Sequence, residues 1–294
     1  MKIGERIREL RISKLMTQAD LAGEQITRNM LSCIENGSAN PSLSTILYIA
    51  GRLNVPAGFL LAEEGDEIVY RKITNLSNIK RAYAAGDLRG CRSLCFSSCP
   101  EPDDEICLLL ANCDMGIAIE EFWNGRLRSA CRYFDEALVY AAKTLYPTDA
   151  IDATVRVYFR YMDRISPTLY SDMLDEERFS ELKNVSFVAS YLDALEGLER
   201  GETDEAERFI ESAEDSSFEK DHIRIKLMML RGEYKPAERL LTQLLRSEAP
   251  LTKIALYEVL CSLEVCCREC EDFKNAYNYA NEKIELLEQL LREN

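Results

Sequence analysis

One short turn, repeated along the chain, limits the available folds more than any other feature. Gly86-Asp87-Leu88, Gly125-Arg126-Leu127, Gly201-Glu202-Thr203, Gly232-Glu233-Tyr234 and Glu271-Asp272-Phe273 are each followed, five positions after the start, by a small residue: Cys91, Ala130, Ala206, Ala237 and Ala276. The gap of 76 residues between the second and third starts leaves room for one degenerate turn, expected at Met162-Asp163-Arg164-Ile165. Six starts then span 185 residues at an average spacing of 37. Between the turns, apolar residues recur at helical spacing and strand-like alternation is scarce. Close crossing of two helices needs a small residue at the contact, because a larger side chain has no room there. From about Ile68 onward the chain is therefore expected to be all-α, built of paired helices around short turns.

A helix–turn–helix unit of this length, with a small residue at the crossing, resembles the tetratricopeptide repeat and implies an α-solenoid. By that resemblance the concave surface is drawn from positions about 13, 10, 6 and 3 residues before each turn. Counting back from the four middle starts gives Asn112, Met115, Ile119 and Phe122; Asp149, Asp152, Arg156 and Phe159; Val188, Tyr191, Leu195 and Leu198; and Glu219, His222, Lys226 and Met229. Asn112, Met115, Arg156, Tyr191, Lys226 and Met229 are the candidate ligand residues. They combine apolar sockets, an amide able to clamp a peptide backbone, and cations able to meet a carboxylate.

Residues 1–62 follow a different regime of short helices. Thr17 can cap one helix, with Asp20 as the acidic half of a capping box and Met16 and Leu21 at the staple positions. Ten residues later Thr27 caps a second helix, with Ile26 and Leu31 as its staple. Ile3, Ile7 and Leu10 before the pair, and Leu43, Ile46, Leu47, Ala50 and Leu53 after it, are expected to close a small core. On the second helix Thr27, Met30, Leu31 and Ile34 are expected to face inward. Asn29, Ser32, Cys33 and Asn36 then lie opposite, with Arg28 at the N-terminal flank.

Charge separates the two regimes. The whole chain carries −15, with 36 basic and 51 acidic residues, which argues against electrostatic binding to nucleic acid or anionic lipid over its full surface. Residues 1–62 nevertheless hold seven basic against five acidic residues, so one end can approach a polyanion. The acidic stretch 63–67 reads as the linker between domains 1–62 and 68–294.

Thr17-Gln18-x-x-Leu21-Ala22, the run Ile26-Thr27-Arg28-Asn29-Met30-Leu31-Ser32-x-Ile34-Glu35-Asn36-Gly37, Asn40-Pro41-Ser42 and Leu53-x-Val55-Pro56 resemble the phage-repressor/Cro (XRE) class of helix-turn-helix domains. The resemblance implies a five-helix DNA-binding domain, short by a residue or so between Ala22 and Ile26. A recognition helix reads bases mainly with its N-terminal exposed residues. Arg28 suits guanine and Asn29 suits adenine, with Ser32 and Cys33 adding edge or methyl contacts. Thr17, Gln18, Thr27 and Asn36 are expected at phosphates, where contacts fix register. Arg6, Arg8, Arg11 and Lys14 are expected to add attraction, and Glu35 to pair with a nearby Arg.

The combination of such a head with degenerate repeats resembles the peptide-responsive Rgg/PlcR/PrgX-like (RRNPP) regulators of Gram-positive bacteria. That resemblance implies a homodimer, binding to a double-stranded DNA operator, and a short signalling peptide in the repeat groove. The alternative is an adaptor or antitoxin-like protein whose repeats bind a protein partner. The last helix pair, with Leu286, Leu287, Leu290 and Leu291, suits either a dimer interface or a terminal cap.

No catalytic constellation stands out. His222 is the sole histidine and reads as a packing or surface residue. Cys267-x-x-Cys270 lacks a second ligand pair, so no metal and no cofactor are expected. The eleven cysteines, several at four-residue spacing (Cys91, Cys95, Cys99; Cys266, Cys270), read as reduced thiols used as small apolar side chains. With neither a long apolar run nor a leader, the expectation is a cytoplasmic protein with no membrane span.

Overall fold

Hydroxyl side chains set the start of successive helices at the N-terminal end. Thr17 accepts from the Asp20 amide, Thr27 from Met30, and Ser42 from Thr45. Asp20 accepts in return from the Thr17 amide at 2.8 Å, completing the capping box. Each cap contributes about 1 kcal/mol. The computed structural model describes residues 3–62, 66–167, 187–214, 217–246 and 250–292, and all regular structure among them is helical. The chain forms two compact units, Met1–Ile106 and Cys107–Asn294.

In the first unit, α1 (Ile3–Ser13), α2 (Gln18–Ala22), α3 (Arg28–Glu35), α4 (Leu43–Leu53) and α5 (Ala57–Leu61) surround one core. Ile7, Leu21, Leu31, Ile34, Ile46, Ile49, Leu53 and Leu60 fill it. Gly4 lets α1 lie directly on α3, since a Cβ there would stand 2.1 Å from the Ile34 carbonyl oxygen.

Two expectations fail here. Leu43 and Leu47 are exposed rather than core. Helix α4 turns Ile46, Ile49, Ala50 and Leu53 inward, leaving Leu43 one turn beyond the core and Leu47 about 100° round the helix from Ile46. Arg6 is buried instead of facing solvent, and its Nη1 donates to the carbonyls of Leu60 (3.2 Å) and Ala62 (2.6 Å). It thereby satisfies carbonyls that the end of α5 leaves without intrahelical partners. The unit continues into a hairpin of α6 (Asp66–Ala84) and α7 (Leu88–Ser98). Residues 63–65 of the expected linker lie outside the described residues, and Asp66 and Glu67 begin α6.

The second unit holds α8 (Asp104–Trp123), α9 (Leu127–Ala141), α10 (Asp149–Ile165), α11 (Phe187–Glu199), α12 (Asp204–Ser212), α13 (Phe218–Leu230), α14 (Tyr234–Leu245), α15 (Lys253–Glu269) and α16 (Phe273–Leu290). Every repeated turn read from the sequence takes the left-handed conformation, with φ of 75°, 73°, 82° and 79° at the four glycines and 63° at Glu271. The small residues five positions on are buried at the crossings. The sixth turn is different. Met162 to Ile165 remain helical as the last turn of α10, and the residues in which a partner helix would follow lie outside the described residues.

A column of rings runs through this unit: Phe122 to Tyr161 at 5.1 Å, Tyr161 to Tyr191 at 6.1 Å and Tyr191 to Phe209 at 5.8 Å between centroids. The last helix returns to the turn between α8 and α9. The Arg128 guanidinium Nε donates to the Leu291 carbonyl at 2.6 Å, and Leu286 and Leu290 are buried in the same core as Phe122. Those two leucines therefore serve their own chain, while Leu287 and Leu291 pack partly buried beside them.

Candidate nucleic-acid interface

The geometry of α2 and α3 rests on one carboxylate. Glu35, its side chain almost fully buried, accepts from Arg11 Nε at 2.7 Å and Nη2 at 3.0 Å, and from Gln18 Nε2 at 2.9 Å. Arg11 also donates to the Met16 carbonyl at 2.9 Å. This single group links α1, α2 and α3. Burial pushes the Glu35 carboxyl up, but the Arg11 and Gln18 hydrogen bonds and the Arg11 charge outweigh it, leaving the group below the usual carboxylate range. Tyr48 on α4 donates to the Ala22 carbonyl at 2.9 Å, and Arg52 donates to the Asp20 carbonyl, so both α2 and the following turn are held from behind.

Held in this way, α3 turns Leu31, Ile34 and Glu35 inward. Arg28, Asn29, Cys33 and Asn36 are exposed along the opposite ridge, and Ser32 is half-exposed at its edge. Thr17 and Thr27 are exposed with their hydroxyls occupied as caps, and Gln18 is half-buried with its amide on Glu35. Asn36 caps the far end of α3, a helix length away from Arg28. Arg8 and Lys14 are exposed cations of the same unit, whereas Arg6 and Arg11 are committed to internal bonds.

Two residues correct the expected inward face: Met30 is 40% exposed, and Thr27 is exposed as the cap of α3. Glu35, rather than Met30, completes the buried side, which rotates the helix and places Met30 on the rim beside Asn29. The signal was present in the sequence, because an acid expected to pair with a nearby arginine has to turn toward another part of the domain.

The candidate ligand residues of the second unit do not form one open wall. Tyr191 is buried, and its hydroxyl is 2.6 Å from His222 Nδ1. Met229 belongs to the core between α13, α14 and α15. Arg156 is buried and paired on its own helix with Asp152 at 2.7 Å. Asn112, Met115 and Lys226 are half-buried, the first two on α8 and the third on α13, and Asn112 donates to its own helix at Leu108. The physical reason is that α11, α13 and α15, first helices of successive pairs, pack on one another. Positions that would line a channel in an open array are filled by these neighbours.

His222, fully buried, bridges Tyr191 and Ser262 (Nε2 to Oγ, 3.1 Å). Ser262 spends its hydroxyl proton on the Glu258 carbonyl at 3.0 Å, so it accepts from His222 Nε2–H, and Nδ1 accepts from Tyr191. Among the described residues, no group of three or more His, Cys, Asp or Glu side chains is placed to hold a metal ion. None of the described helices is long and apolar enough to cross a membrane.

A helix-turn-helix family model matches residues 7–60. Over 65 residues the chain is 37% identical to the immunity repressor protein of Bacillus phage phi105, covering 22% of this chain and 45% of that repressor. The chain thus matches less than half the length of this relative. Residues 7–60 are a helix-turn-helix domain. Three solved structures align along most of the chain: Bacillus thuringiensis PlcR in complex with the peptide PapR7 and DNA (14% identity, 99% of both chains, TM-score 0.24), ComR from S. thermophilus in complex with DNA and its signalling peptide ComS (16%, 97% and 99%, 0.24), and apo ComR from Streptococcus vestibularis (17%, 97% and 91%, 0.22). Scores of that size carry no argument about function.

Proposed function

We propose that this chain is a sequence-specific DNA-binding transcriptional regulator, acting as a homodimer whose helical-hairpin body responds to a short peptide. The ridge of α3 carries the reading. An eight-residue helix tied to α1 and α2 through its own Glu35 offers an arginine, an asparagine and a second row of small polar side chains to solvent, the chemistry of major-groove readout. In this reading Arg28 and Asn29 contact base edges, Ser32 and Cys33 support them, and Thr17, Gln18, Thr27 and Asn36 sit at phosphates.

The functional division is a head at residues 1–62, a connection at 63–67 and a sensing and dimerising body at 68–294. Two heads are needed because one small head makes few base contacts, whereas a pair reads a half-site twice. Control by a peptide rests on the resemblance of this two-part plan to the peptide-responsive regulators. A ligand shifts such a dimer only if it binds one arrangement of the heads more tightly than another. Asn112, Met115 and Lys226, which keep partial exposure, are the starting points for that site.

Sequencing genomic fragments retained by the purified full chain tests the head. Recovery of a shared motif supports the reading, and retention no better than for scrambled DNA overturns it. Repeating the selection with synthetic peptides encoded beside the gene tests the body. A peptide that shifts retention or melting temperature supports peptide control, while a co-purifying protein that alone changes retention favours the adaptor reading.

A further inference from the structure

The last helix has one more apolar stripe than its own chain covers. Its inner face, Ala276, Tyr279, Leu286 and Leu290 with Lys283 between, packs onto the unit, and Lys283 pairs there with Glu264 of α15. A second line, Phe273, Tyr277, Ala280, Ile284, Leu287 and Leu291, steps by four and three residues in strict alternation. That spacing is the a/d pattern of a coiled coil, and it lies roughly 110° round the helix from the inner face. Phe273, Tyr277 and Ile284 on this line are exposed, at 66%, 68% and 52%. Leu287 and Leu291 are already half-buried against their own core, but a terminal helix of a repeat array ordinarily shows solvent a polar outer face, so Phe273, Tyr277 and Ile284 are unexplained by the fold of one chain.

The charges beside the stripe identify its occupant. Only one flank of the seam faces solvent, and its heptad positions are Lys274, Asn281 and Glu288, all exposed. If a second α16 lies antiparallel with Asn281 meeting Asn281, Lys274 of each copy faces Glu288 of the other. The same register sets Tyr277 opposite Leu287, Ala280 opposite Ile284, and Phe273 opposite Leu291. A parallel pairing would instead set this flank against Ala276, Lys283 and Leu290 of the other copy, the inner face that its own unit already covers. On the other flank Lys283 is already neutralised by Glu264 within its own chain. The surface is therefore complementary to itself under a two-fold rotation, the requirement of a closed dimer contact.

We propose that the outer seam of α16 is the site at which two copies of this chain associate, antiparallel about Asn281, with Lys274–Glu288 pairs closing each end. This rests on the dimer part of the proposed function and places it on a defined surface.

The experiment is sedimentation equilibrium of the full chain, with helicity and melting temperature recorded for each variant. Ile284→Glu, at an exposed position, is expected to keep the wild-type melt and raise the dimer dissociation constant at least about 100-fold, since two charges enter the seam per dimer. Lys274→Glu alone and Glu288→Lys alone each set like charges opposite one another twice, and each is expected to weaken association about tenfold. The double variant Lys274→Glu with Glu288→Lys restores the pairing in reverse and is expected to return to near the wild-type constant. Dimers unaffected by Ile284→Glu would place the contact elsewhere and overturn the seam while leaving the dimer reading intact. Single variants that weaken with no recovery in the double would overturn the antiparallel register. A wild-type chain monomeric at every attainable concentration would overturn both.

Discussion

His222 gives the most direct test of how the second unit is held together. It is the only histidine in the chain, fully buried, and it accepts from Tyr191 while donating to Ser262. Burial holds its ring far below the ordinary value of 6.5, and the nearby Lys226 and Arg164 charges act in the same direction. The folded ring stays neutral where the unfolded ring takes up a proton. Its contribution to stability is therefore complete above the unfolded value and declines as pH falls below about 6.5 toward the folded value. Between pH 7.0 and 5.5 this amounts to about 1 kcal/mol. Urea unfolding at both pH values, on wild type and His222→Gln, isolates the effect. The variant loses about 1–3 kcal/mol at neutral pH, because Tyr191 and Ser262 no longer have a partner of matching geometry. It is expected to lack the pH component of about 1 kcal/mol that wild type shows. Equal losses in the two proteins over this interval would show that the ring takes up protons freely within the fold, and the burial argument would be wrong.

Other outcomes follow from the same geometry. Arg28→Ala and Asn29→Ala are each expected to weaken operator binding by about 1–3 kcal/mol and relax one base position, measured by mobility shift against a panel of single-base operator variants; unchanged shifts would remove them from the reading face. Arg11→Ala leaves the buried Glu35 carboxylate with Gln18 alone and is expected to cost the first unit about 3 kcal/mol in urea unfolding. Because Glu35 is held below the usual carboxylate range, the stability it supplies is present at neutral pH and is lost as pH falls through its folded value; wild type should lose it on acidification and Glu35→Gln should not. Glu271→Gly relieves a left-handed residue that costs about 1–2 kcal/mol, offset in part by glycine's freedom in the unfolded chain, and should raise the melting temperature.

What could be read from the sequence was what local chemistry decides. Thr17 and Thr27 cap because a hydroxyl two or three residues before free amides does so in almost any setting, and the five repeated turns adopt one conformation for the same kind of local reason. Even Glu271, which lacks glycine's ease in that conformation, keeps it because α15 and α16 on either side fix the turn. Reading failed where a tertiary partner decided. Arg6 looked like any surface cation until Leu60 and Ala62 offered it carbonyls from 54 and 56 residues away. Met30 turned outward because Glu35 turned inward. Tyr191 and Met229 sat at positions an open array would expose, and neighbouring first helices covered them. The end of α10 was misplaced by the expected sixth turn, because Met162 and Ile165 are buried apolar residues that prolong a helix through a stretch with no glycine to stop it.

The bond from Arg128 to Leu291 changes how the second unit comes apart. A linear stack of hairpins has two loose ends, and heat or denaturant peels it inward from whichever is weaker. Here the last helix is fastened to the turn between α8 and α9, so neither end of this unit can fray without breaking the other. Such a hoop should melt in one cooperative step, with amides in its outermost helices exchanging as slowly as those in the middle.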